Sequence, residues 1–110
     1  MERPTLHERL LTNVSADETT SVVLGPGRVS RIREVTMYVT TVGAVTSGQV
    51  LLETAADPAF TGTWVVLATI NPAATDTAYR ASVTGVWLAL RARVNTAIGG
   101  GTVHVDIVGN

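Results

Sequence analysis

Val86-Trp87-Leu88-Ala89-Leu90-Arg91-Ala92-Arg93-Val94, followed by Val103-His104-Val105-Asp106-Ile107, is the stretch that decides the fold class. Val86, Leu88, Leu90, Ala92 and Val94 share one parity, and Trp87, Ala89, Arg91 and Arg93 share the other. In the second run Val103, Val105 and Ile107 alternate with His104 and Asp106. A period of two is the mark of a strand with one dry and one wet face. Gly99-Gly100-Gly101 between the runs reads as a permissive loop, so the two are expected to form a hairpin. With Val94 opposite Val103, Arg91 would oppose Asp106 and Arg93 would oppose His104.

The same texture extends along the chain. Breaks near residues 16–18, 25–27, 46–48, 56–62, 71–76, 85 and 98–101 separate segments rich in Val, Thr, Leu and Ile. The expected strands are 10–15, 21–24, 29–42, 49–54, 63–70, 77–84, 86–95 and 102–108. Eight short strands at this spacing predict an all-β fold, a single antiparallel β-sandwich of jelly-roll-like form. Within 29–42, Ile32 has the opposite parity to Val35, Met37 and Val39, which places a bulge or break near Arg33–Glu34. Residues 1–9 differ in composition and are expected to form a short N-terminal arm, leaving 10–110 as the sandwich domain. Thr5-Leu6-His7-Glu8 matches a capping box, so one or two helical turns over 5–11 compete with an extended arm.

Composition narrows the chemistry. The 110 residues carry 8 basic and 9 acidic groups, a net charge of −1, and no Cys. All of the basic residues are Arg. Without Cys there is no disulfide framework, thiolate nucleophile or zinc knuckle. Without Lys there is no phosphate-loop lysine and no catalytic amine. A balance so near neutrality, with Arg28, Arg31 and Arg33 beside Glu34 and no interleaved aromatics, argues against nucleic acid as a partner. The longest apolar run, Trp64-Val65-Val66-Leu67-Ala68, is of strand length and predicts no membrane span. The charged first residues are unlike a secretory signal, so synthesis in the cytoplasm is expected.

No residue pattern predicts an enzyme. No Ser lies in a G-x-S-x-G elbow, and the two His, His7 and His104, lie in different parts of the chain. His104 and Asp106 share a strand face, a spacing that can ligate a metal. Two expected neighbours, Arg91 and Arg93, oppose a cation, so a solvated face is expected and no cofactor or metal is assigned. Trp64 is read as plugging the end of the sandwich. Phe60 is open between plugging and an exposed loop. Trp87 points away from the face of Leu88 and Leu90, either as an interface anchor or as a residue covered by the arm or a loop.

The order of several segments resembles that of small β-sandwich structural proteins of tailed bacteriophages. The segments are Val50-Leu51-Leu52-Glu53-Thr54-Ala55-Ala56-Asp57, Thr63-Trp64-Val65-Val66-Leu67-Ala68, Thr77-Ala78-Tyr79-Arg80, Trp87 through Val94, and Gly101 through Ile107. Ala55-Ala56-Asp57-Pro58 replaces the Ser–Asp–Gly turn usual in that group. The resemblance implies a non-enzymatic virion component, first of all a head decoration (cement) protein. It implies the major capsid protein or another virion protein as partner, a homo-oligomer with a trimer favoured, and a place on the capsid surface. The candidate capsid or subunit interface is Arg3, Pro4, Leu6, His7, Leu10, Trp87, Arg91 and Arg93. A tail or head–tail connector component and a carbohydrate-binding sandwich are the alternatives. The last requires an exposed aromatic platform from Phe60, Trp64 and Trp87.

Overall fold

The computed structural model describes residues 5–55 and 62–110. Its elements run β1 (Leu6–Val14), α1 (Pro26–Val29), β2 (Glu34–Ala55), β3 (Trp64–Ile70), β4 (Ala78–Thr84) and β5 (Leu90–Gly109). The all-β, antiparallel class is as the alternation predicts. The strand count is not: among the described residues, five strands form one hydrogen-bonded sheet of order β1-β5-β2-β3, with β4 also on β2.

The difference comes from two long strands. β2 has 22 residues and β5 has 20, and they pair along their whole length, from Val35↔Gly109 to Thr54↔Leu90. The expected hairpin between residues 86–95 and 102–108 therefore does not form. Residues 90–95 and 102–108 lie on one strand, and Arg91 opposes Glu53 while Asp106 opposes Tyr38. The segments expected as turns, near 46–48 and 98–101, face each other across the ladder and act as bulges. Gly43 pairs with Gly101 and Ser47 with Gly99, with register shifts on either side of Ser47.

Steric crowding explains the glycines. Gly100 has φ +86°, and a Cβ there would stand 2.2 Å from the Ala44 carbonyl oxygen. A Cβ on Gly101 would stand 2.3 Å from the Val42 carbonyl oxygen. Glycine is needed where the partner backbone comes this close, and no chain reversal is involved. A bulge also changes which parity faces the core. On β2 the residues in the hydrophobic cluster are Val35, Met37 and Val39 before the bulge, Val45 within it, then Val50 and Leu52 after it. On β5 they are Leu90, Ala92 and Val94, then Val103, Val105 and Ile107.

The bulges divide the sheet into two halves that share β2 and β5. In the first half β4 pairs with residues 34–40 of β2, and β1 pairs with the C-terminal part of β5. In the second half β3 pairs with residues 50–55 of β2. There the free edge of β5 is covered by residues 15–24. Leu24 and Leu90 exchange backbone hydrogen bonds of 2.9 and 3.0 Å, the Ser21 amide donates to the Ala92 carbonyl at 2.9 Å, and the Val94 amide donates to the Thr19 carbonyl at 2.9 Å. Buried residues from both halves form one hydrophobic cluster. Each fully buried Val, Leu or Ile contributes about 1.5–3 kcal/mol relative to exposure.

The N-terminal reading is corrected. Residues 6–9, expected in an arm, are the start of β1, and no helix forms over 5–11. An isolated helix of two turns is marginal. Pairing with β5 instead satisfies the backbone and buries Leu6, Leu10 and Leu11. The break expected near Arg33–Glu34 is present: β2 begins at Glu34, and residues 26–29 form the single helical turn α1 rather than strand.

Candidate functional site

In the first half the outward side chains stand in rows across all four strands. Arg80, Tyr38, Asp106 and Arg9 form one row, and Ser82, Thr36, Val108 and His7 form the next. The Arg9 guanidinium forks onto the Asp106 carboxylate, Nε to Oδ1 at 2.9 Å and Nη2 to Oδ2 at 3.2 Å. The hydrogen bond that Arg9 donates to Asp106, followed by the charge of that carboxylate, raises the Arg9 pKa. The Thr36 and Ser82 hydroxyls share a hydrogen bond of 2.7 Å. Val108 lies exposed between Thr36 and His7. The result is a flat, hydroxyl-rich face on which Arg9 and Asp106 are paired and Arg80 stands exposed.

The second half is built differently. Glu53 has an outward parity on β2, yet it is only 2 % exposed. Two β5 side chains cover it. Arg91 Nε donates to Glu53 Oε1 at 3.0 Å, and Arg93 Nη2 donates to Oε2 at 3.2 Å. Arg93 also reaches the Glu18 carboxylate at 3.1 Å and Asn95 Oδ1 at 3.0 Å. Asn95 donates to Gln49, and Gln49 donates to Asn71. The hydrogen bonding of Arg93 to the Glu53 carboxylate is the largest cause of a raised Arg93 pKa, so this cation stays charged at any ordinary pH. The Arg91 guanidinium lies 4.0 Å from the Trp64 ring centroid, a cation–π contact. No buried side-chain polar atom lacks a partner among the described residues. The network closes the second half with polar side chains where the first half has a plain wet face.

The candidate residues are thus dispersed. Leu6, Leu10 and Trp87 lie in the hydrophobic cluster, so none of them is an outward anchor. Trp87 is buried because residues 85–89 lie between β4 and β5, where strand alternation does not apply. Its neighbours Val86 and Leu88, expected inside, are exposed. His7 is exposed on the flat face, while Arg91 and Arg93 belong to the network on the other half. Arg3, Pro4 and Phe60 lie outside the described residues. Trp64 is partly buried at the start of β3, with the Arg91 guanidinium over its ring.

His104 does not stand beside Arg91 or Arg93. Its Nδ1 accepts the Asn13 amide at 3.1 Å, while Asp106 is held by Arg9. Among the described residues, no group of three or more His, Asp or Glu is placed to hold a metal. None of the described helices is long and apolar enough to cross a membrane. Glu53 is the residue that sequence reasoning passed over. Its signal was available, since it is the single charge within the apolar run from Val50 to Ala55.

No protein-family model and no curated protein sequence matches the chain. Its fold, however, is found in solved structures. The SPBc2 prophage-derived protein YomS superposes with a TM-score of 0.59 at 12% identity, covering 96% of this chain and 93% of YomS. The PBSX exported protein XepA gives 0.60 at 17% identity, covering 94% of this chain but 37% of XepA. PirA gives 0.54 at 15% identity, covering 100% of this chain and 96% of PirA. At these identities the likeness is one of fold.

Proposed function

We propose that this protein is a non-enzymatic structural component of a bacteriophage or prophage particle, and within that class a head decoration protein. One observation carries the reading: the fold matches prophage-derived YomS across nearly the full length of both chains. The match to part of the PBSX protein XepA points the same way. The partner is the major capsid protein, and the protein acts on the outer capsid surface as a homo-oligomer.

The flat face of the first half supplies the contact. Arg9 and Asp106 already satisfy each other there, and the exposed Val108 flanked by His7 and Thr36 offers an apolar anchor. The carbohydrate-binding reading loses its support, because Trp87 is buried and the Trp64 ring is stacked under Arg91.

Co-sedimentation of the purified protein with undecorated capsids tests the proposal. Saturable binding to heads, lost in Val108→Asp, is the expected result. Binding to tails and not heads would transfer the role to a tail component. No binding to either would remove the structural reading.

A further inference from the structure

We propose that the outer edge of β3 is a two-fold seam on which a second copy of this chain adds its own β3, joining two sheets into one. Among the described residues, β3 pairs with β2 on one side and with no strand on the other. An edge strand turns alternate backbone N–H and C=O groups away from its sheet, and these bond readily to another strand. Folded proteins usually guard such edges with charge, proline or heavy bulging.

The three named edge strands differ in this respect. β1 carries His7, Glu8 and Arg9 and has two register shifts against β5. β4 carries Arg80, so pairing with its own copy in a register centred on that residue brings two like charges together. β3, Trp64-Val65-Val66-Leu67-Ala68-Thr69-Ile70, has no charged residue and no proline. Its one irregularity, at Leu67, turns that side chain toward the core and leaves Val65 and Val66 about half exposed, at 49% and 47%.

The absence of charge on β3 selects a second copy as the occupant. In any antiparallel register of β3 with itself, only apolar and hydroxyl side chains meet and no charge is stranded. The net charge of −1 adds little repulsion between whole copies. A seam of one strand is at the small end of protein interfaces, so the pair dissociates on dilution. This inference does not depend on the particle reading, and its test uses the free protein.

Sedimentation velocity across a concentration series is the experiment. The expected result is a reversible monomer–dimer equilibrium. Val65→Lys and Val66→Lys, both at exposed positions, are expected to weaken dimerisation at least ten-fold, while Val22→Lys, exposed in the segment that covers β5 on the opposite side of the sheet, leaves it unchanged. The chain contains no Cys, so Val66→Cys treated with a short bis-maleimide cross-links only copy to copy. A cross-linked dimer supports the seam. A wild-type monomer at every concentration, or a dimer indifferent to both Lys variants, overturns it. Circular dichroism of each variant shows that a lost dimer is not a lost fold.

Discussion

The two halves of the sheet are made from the same two strands and solve opposite problems. In the first half, odd-numbered residues of β2 and β5 face the core and even-numbered ones face solvent, so charges such as Arg9 and Asp106 sit on a wet face. In the second half, Val50, Leu51, Leu52, Glu53 and Ala55 are all buried. That stretch of β2 is covered on both sides. A carboxylate there must be matched by fixed partners, and Arg91 and Arg93 provide them. An ion pair of the same composition is decoration in one half and a structural requirement in the other.

The comparison breaks most visibly at Glu53. Glu53→Ala is expected to lower the unfolding free energy by about 3–5 kcal/mol, the cost of breaking a buried pair. Denaturant titration at unchanged slope is the measurement. Asp106→Ala in the first half should cost far less, because Arg9 remains in water. Equal losses at the two positions would mean that the halves do not differ as described.

The joint between the halves comes next. Gly100→Ala meets both a left-handed φ and the Ala44 carbonyl, and is expected to cost about 2 kcal/mol or more. Gly27→Ala, in the single helical turn with open space around it, should be neutral or stabilising by up to about 1 kcal/mol. Thermal melts of the two variants in parallel are sufficient.

A smaller effect separates the arginines from lysine. Arg93→Lys keeps the charge but loses the fork that reaches Glu53, Glu18 and Asn95 together, at an expected cost of about 1 kcal/mol. Smallest of all, Val108→Asp on the flat face should change stability by less than about 0.5 kcal/mol while removing capsid binding.

Much of this architecture was legible in the residues. Alternation at 90–94 and 103–107 marks the buried side chains of β5 correctly, and the change of parity between them is real. Its cause was misassigned. A run of three glycines suits a hairpin turn and a close backbone approach equally well, and local sequence does not say which. The decision rests with Gly43 and Ser47, more than fifty residues earlier in the chain. The N-terminus misled for a related reason: a capping box is a local preference, and the sheet edge offered by β5 outweighs it. Trp87 was assigned outward by extending the alternation four residues beyond the start of β5.

The polar network was hidden because it joins residues distant in sequence. Glu18, Gln49, Glu53, Asn71, Arg91, Arg93 and Asn95 come from four separate segments, which the β2–β5 register, the pairing of β3 with β2 and the cover of residues 15–24 on β5 bring together. A lone carboxylate in an apolar run was nevertheless a visible sign that a cation had to lie across the sheet.

Quantitative mass spectrometry of gradient-purified particles, from the strain that encodes this chain, tests the functional account most directly. The account predicts that the protein co-purifies with intact heads in many copies per particle, in fixed ratio to the major capsid protein. Recovery of the protein only in the particle-free fraction would contradict it.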